Sequence, residues 1–280
     1  MKNAVIDVGS NSVRLFYNGQ KRLVNTQLAE NLMRTGVLSE AAMQRTAQAI
    51  EDLASVARAE GATDVYAFGT EAVRAAANGA CFVEIVRALG VNFEVIPAER
   101  EASLGFYGAY TSGTLAVLDI GGASTELAVG DERGLRYAHS MPLGSVRLKD
   151  YASDKETQFS YAKTRVSEYE NVPKFDKLVS IGGSVSQLAA VKLAMEPYDP
   201  EVIHGAVMTY EDIEQAVDKI LSYPPEERVK IKGLHPKKIL VAPAGGLIAL
   251  AVMDYLGVKQ TVLSERDNLE GYAMWRGIEV

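Results

Sequence analysis

Asp119-Ile-Gly-Gly-Ala-Ser-Thr-Glu126 decides the reading of this chain. The apolar run Thr114-Leu-Ala-Val-Leu118 before it reads as a buried strand, and a second strand-like run follows over 125–130. Gly121-Gly122 marks a tight turn between them. With Gly122 and Ala123 at the tip of a hairpin, Asp119 falls directly across from Glu126 on one face of the sheet. Cross-strand partners lie only about 5 Å apart, so two carboxylates there repel unless a cation separates them. The tip, Gly121, Gly122 and Ala123, has almost no side chain, so its N–H groups can approach an anion closely. Ser124 and Thr125 add hydroxyl donors. The stretch therefore reads as a phosphate-gripping loop beside two carboxylates, Asp119 and Glu126, able to hold Mg²⁺.

The same pattern opens the chain. Asp7-Val-Gly-Ser-Asn-Ser12 follows the apolar run Ala4-Val-Ile6. Gly9, Ser10, Asn11 and Ser12 are its candidate phosphate donors. Folding at Ser10-Asn11 places Arg14 across from Asp7, where the second motif has Glu126. The first copy thus has a cation of its own and the second needs one from outside. The metal should belong chiefly to Asp119 and Glu126, with Asp7 as a lesser candidate acting through water. Either motif alone reads equally well as an ordinary hairpin turn. Two copies, each at the start of a similar half, are harder to read that way.

Composition narrows the class. The chain has 280 residues and is 48% hydrophobic, enough for one large or two ordinary domains. Cys81 is the only cysteine, so no intrachain disulfide can form, and its helical setting suggests a core position. The N-terminal apolar run is too short for a signal peptide. The most apolar stretch, 239–253, falls short of the ~20 residues of a membrane span and reads as a buried segment. A cytoplasmic protein without membrane partners is expected. The net charge of −7 argues against nonspecific nucleic-acid binding. Any polyanionic substrate must be drawn by a local site against that field.

The element order is also legible. Asn18-Gly19 signals a tight turn, so the first motif lies in a meander. Ser39 caps a helix whose apolar positions are Met43, Ala47, Ile50, Ala54 and Ala57. A strand over 65–68 runs into Gly69-Thr70 and a helical segment containing Arg74. Helical and strand patterns alternate up to a helix opening at Ala98-Glu-Arg-Glu101. The second half repeats the order: strands at 114–120, 124–130, 135–141 and 177–182, then helices, with a last strand over 259–263 and a last helix over 265–276. Thr209 with Asp212 forms a capping box. A mixed sheet with a leading antiparallel meander and parallel crossovers is expected in each half.

Two β-β-β-α-β-α halves, each opening with Asp-aliphatic-Gly, resemble the actin, heat-shock ATPase and sugar-kinase superfamily. Within it the motifs resemble the exopolyphosphatase/guanosine pentaphosphate phosphatase family. The matching segments are Asp7 to Ser12, Gly69-Thr70 with Ala72-Val-Arg74, Glu101-Ala102, Asp119 to Glu126, Leu143-Gly-Ser-Val-Arg-Leu148 and 264–271. The resemblance implies an α/β fold of two RNase H-like, actin-like ATPase domains with mixed sheets flanked by helices, 1–113 and 114–264, and an active site in the cleft between them. The helix 265–280 would pack back on the first domain. It implies the short form of the family, without extra C-terminal domains. It implies removal of terminal phosphate from inorganic polyphosphate, guanosine pentaphosphate or both, with Mg²⁺ as cofactor, Mn²⁺ as its substitute, and a homodimer as the candidate assembly. By motif position Glu101 is the general base and Arg74 a bidentate phosphate ligand. The sequence departs from the family pattern at Arg100, Ser103 and Ala123. An ATP-dependent kinase, with a nucleoside pocket near Gly182-Gly-Ser184, and a non-catalytic nucleotide or polyphosphate sensor are the competing readings.

Overall fold

The computed structural model describes residues 2–279. The chain opens with β1 (Asn3–Val8), β2 (Ser12–Tyr17) and β3 (Gln20–Asn25), then α1 (Leu32–Thr35), α2 (Glu40–Ala59), β4 (Asp64–Gly69), α3 (Glu71–Ala75), α4 (Gly79–Arg87), β5 (Asn92–Val95) and α5 (Ala98–Ala109). A second meander follows, β6 (Leu115–Ile120), β7 (Thr125–Asp131) and β8 (Gly134–Met141), then α6 (Ser145–Tyr151), α7 (Lys155–Arg165), β9 (Lys177–Ile181), α8 (Gly183–Lys192), α9 (Pro200–Ile203), β10 (Val207–Thr209), α10 (Tyr210–Leu221), α11 (Val241–Leu256), β11 (Gln260–Leu263) and α12 (Asn268–Arg276). The chain divides into two units. One runs to Gly108 and takes in the chain from Asn268 onward; the other is Ala109–Asp267.

The first unit holds a five-stranded mixed sheet in the order β3-β2-β1-β4-β5. The β2–β3 turn is Asn18-Gly19, both at positive φ, as a two-residue hairpin of this twist requires. Strand β1 is buried from Ala4 to Val8 because it lies in the middle, antiparallel to β2 and parallel to β4. The Ser39 side chain accepts from the Ala42 N–H and caps α2, whose apolar face is buried at each of the expected positions. Tyr272 of α12 stacks on Phe68 of β4, ring centres 4.6 Å apart, in a cluster with Val5, Ile96, Leu104 and Leu269.

The second unit repeats this topology in the order β11-β9-β6-β7-β8 and extends it by one strand, β10, antiparallel to β11. Strand β6 takes the central place of β1. All but the first two residues of the apolar stretch 239–253 lie in α11, which is buried from Val241 to Met253 and packs against α6, α7, α8 and α10. The capping box of Thr209 and Asp212 closes the start of α10. Three details differ from the sequence expectations. Strand β10 was not expected, because Val207-Met-Thr209 is too short to show alternation. The last helix begins at Asn268, since the Ser264 hydroxyl is tied to the Arg266 backbone in a turn. Cys81 is exposed, because Phe82 and Val86 face the core of α4 and Cys81 lies on its other side. Among the described residues no helix is long and apolar enough to cross a membrane.

Candidate active site

In the second unit the β6–β7 register pairs Asp119 with Glu126 and Ile120 with Thr125. The turn is therefore 121–124, closed by the Gly121 N–H donating to the Ser124 carbonyl at 3.0 Å. The start of α6 anchors this tip. The Ser145 N–H donates to the Gly121 carbonyl at 2.9 Å, and the Val146 N–H to the Gly122 carbonyl at 2.8 Å. In a trans peptide C=O and N–H point to opposite sides. The Gly122 and Ala123 N–H groups, which share peptides with those two carbonyls, are thereby aimed away from α6. Neither they nor the Ser124 N–H donate to a protein acceptor among the described residues. Gly144 permits the approach: a Cβ there would come within 2.4 Å of the Gly122 carbonyl carbon.

Thr125 is wholly buried, and its hydroxyl donates to the Leu143 carbonyl at 2.5 Å. Its side chain anchors the loop, so the hydroxyl expected to face an anion is engaged by the Leu143 carbonyl. The Thr125 carbonyl accepts from the Tyr169 hydroxyl at 2.7 Å. Burial, with Glu126 nearby, holds that hydroxyl well above the ordinary tyrosine range, so it stays a donor.

Glu126 is only 2% exposed and accepts from the Ser140 hydroxyl at 2.6 Å. Ser140 is its register partner on β8, so Asp119, Glu126 and Ser140 form one row across three strands. Gly182, at φ 90°, brings the β9–α8 connection against this row: a Cβ there would lie 3.0 Å from Asp119 Oδ1. The next residues are packed in, with Lys238 Nζ over Gly183 and the Ser184 side chain against Gly245. The donor set suits a hard divalent cation. Two carboxylates face each other in register, and among the described residues no group of three or more His, Cys, Asp or Glu could hold a metal. Waters and phosphate oxygens would complete the shell, as is usual for Mg²⁺.

In the first unit the corresponding pair is Asp7 and Arg14. Arg14 Nε donates to Asp7 Oδ2 at 3.0 Å and Nη2 joins it. The tip is closed by the Gly9 N–H on the Ser12 carbonyl. Its Ser10 and Asn11 carbonyls accept from the N–H groups of Ala29, and of Thr26 and Gln27. The two tips are thus held by the same device: carbonyls tied to the segment that follows the meander.

Glu101 sits in the first turn of α5, 6% exposed. Its Oε2 accepts from both terminal nitrogens of Arg74 at 3.3 Å. Arg74 also donates to the Ile96 carbonyl at 2.7 Å and to Glu71 at 2.8 Å. The guanidinium is therefore engaged on three sides, with the Glu101 carboxylate on one of them. Glu71, Ser140 and Tyr169 were not singled out from sequence. Only register could have drawn attention to Ser140, the i,i+3 spacing to Arg74 to Glu71, and nothing local marks Tyr169.

The sequence model of the Ppx/GppA phosphatase family matches residues 8–274, which include the tip of the first hairpin, the whole of the second, Arg74 and Glu101. The chain belongs to this family. Exopolyphosphatase 2 of Mycobacterium tuberculosis is 26% identical, over 97% of this chain and 97% of its own length. A guanosine-5'-triphosphate,3'-diphosphate pyrophosphatase of Photobacterium profundum is 29% identical over 93% of this chain. The chain spans only 56% of that relative's length. The crystal structure of the Aquifex aeolicus member of the Ppx/GppA family superposes with a TM-score of 0.80 at 29% identity, covering 99% of this chain and 97% of the other.

Proposed function

We propose that this Ppx/GppA family member is a Mg²⁺-dependent phosphoanhydride hydrolase. Its substrates are inorganic polyphosphate, guanosine pentaphosphate or both, from which it removes a terminal phosphate. The observation that carries the reading is the in-register pairing of Asp119 with Glu126 beside a tip whose carbonyls are tied down and whose N–H groups are not. The mycobacterial relative, an exopolyphosphatase, and the Photobacterium relative, a guanosine-5'-triphosphate,3'-diphosphate pyrophosphatase, support the substrate class.

Each group has a physical task. The N–H groups of Gly122, Ala123 and Ser124 orient phosphate oxygens. Asp119 and Glu126 hold the metal, which when bound neutralises phosphate charge. Glu101 accepts the proton of the attacking water, and Arg74 orients Glu101. Asp7 is occupied by Arg14 and ranks below the other carboxylates as a ligand. Positioning and electrostatics supply most of the acceleration in such reactions.

The test is phosphate release from polyphosphate and from guanosine pentaphosphate in parallel, with Mg²⁺, with Mn²⁺ and with a chelator. Metal-dependent release from either substrate, without an added acceptor, is expected. Substrate binding without release would refute the hydrolase reading.

A further inference from the structure

Two cations share one indole in the first unit. The guanidinium of Arg100 lies 4.5 Å from the ring centre of Trp275, and that of Arg276 lies 4.8 Å from it. Arg276 is otherwise engaged: its Nε donates to the Tyr272 hydroxyl and its Nη2 pairs with Glu94. Arg100 is different. Among the described residues its side chain makes no hydrogen bond or ion pair, and stacking on Trp275 alone holds it. The chain carries an excess of seven acidic groups, yet none is placed on this arginine.

A stacked guanidinium keeps its planar fork of N–H donors directed outward, pre-oriented for a phosphate or carboxylate. The neighbouring arginines are neutralised, Arg276 by Glu94 and Arg87 by Glu84, which leaves Arg100, among the described residues, as the cation at this place without an acidic partner. Arg100 precedes Glu101 in the first turn of α5, so the two side chains leave the helix about 100° apart. Glu101 is turned in to Arg74 while Arg100 is turned out to Trp275. An anion on Arg100 is therefore a different phosphate from the one under attack.

We propose that Arg100, seated on Trp275, is a phosphate subsite for a linear phosphate chain, holding a group away from the one being hydrolysed. This rests on the reading of the protein as a phosphoanhydride hydrolase with Glu101 as its base. The subsite would favour a chain over a single phosphate, because only a chain reaches both places.

Trp275 is the only tryptophan of the chain, so its emission reports this place alone. The full-length protein is titrated with tripolyphosphate in a chelating buffer, where no turnover occurs, and with orthophosphate and sulfate in parallel. Tripolyphosphate should change the emission saturably and at lower concentration than either single anion. Arg100→Gln should weaken that response about tenfold and raise KM for polyphosphate by a similar factor, with kcat much less affected. Arg100→Lys, which keeps the charge without the fork, should fall between. Circular dichroism of both variants excludes unfolding as the cause. An Arg100→Gln protein with unchanged titration and unchanged KM would overturn the proposal, as would an equal response to sulfate. If tripolyphosphate binds as expected but Mg²⁺ brings no phosphate release, the subsite stands and the hydrolase reading fails.

Discussion

Glu101 gains its proposed role from what surrounds it. A glutamate in the first turn of a helix commonly only complements the helix dipole. Here it is nearly buried and held by a guanidinium that is itself fixed by Ile96 and Glu71. Glu101→Gln keeps the shape and removes the proton acceptor. Its kcat should fall about 10²–10⁴-fold with substrate binding largely kept, and a variant retaining more than half of wild-type kcat would remove Glu101 from the role. Arg74 shows where residue-level reading stops. Its position in the motif is legible, and Glu71 is a helical neighbour three residues away, but its other two partners, the Ile96 carbonyl and Glu101, come from distant parts of the chain. Cys81 makes the same point in reverse: its helical setting is legible in the sequence, but the exposed face it takes is not. Because Cys81 is exposed, a thiol reagent should titrate one group in the native protein without denaturant.

At the scale of the element, the two hairpins are the same construction with different charges. Asp7 faces Arg14 in one, and Asp119 faces Glu126 in the other. Both registers follow from sequence once the two-residue tips are located, because side chains alternate and turn length fixes pairing. Asp119→Asn or Glu126→Gln should therefore raise the Mg²⁺ concentration needed for activity, and Arg14→Ala should not. Metal titrations of the three variants decide it: an Arg14 variant with the largest defect would overturn the assignment. What anchors the tips was not legible. Gly144 lets the start of α6 reach the tip carbonyls, and a methyl group there would meet Gly122 and Ala123 backbone within 2.5 Å. Backbone cannot yield as a flexible side chain does. Gly144→Ala should cost about 1–3 kcal/mol, read from the denaturation midpoint, and should lower activity by moving the tip.

At the scale of the molecule, α12 belongs to the unit built from the start of the chain. It is seated through Tyr272 on Phe68 and through Gly271 on the backbone of α5, where a Cβ would fall 2.0 Å from the Leu104 carbonyl oxygen. Gly271→Ala should displace α12. Because Trp275 lies on α12, its emission should then report unfolding of the first unit at lower denaturant, earlier than in the wild type. Coincident, unshifted transitions would show that the helix is not needed to hold that unit. The burial of α11 has a related origin: Gly245 and Gly246 let neighbouring helices approach until Ser184, Leu188 and Val217 touch its backbone.

The sequence alone determined the two meanders, the pairing of Asp119 with Glu126 and of Asp7 with Arg14, the capped helices and the family. These are local or periodic features: turn chemistry sets register, register sets which side chains face each other, and spacing sets which helix face is apolar. The tertiary structure alone decided that Arg74 pairs with Glu101, that Thr125 and Tyr169 anchor the loop and that Arg100 rests on Trp275. Each of those depends on a contact between segments far apart in the chain, and no local pattern records which distant partner a side chain meets once the sheets and helices have packed.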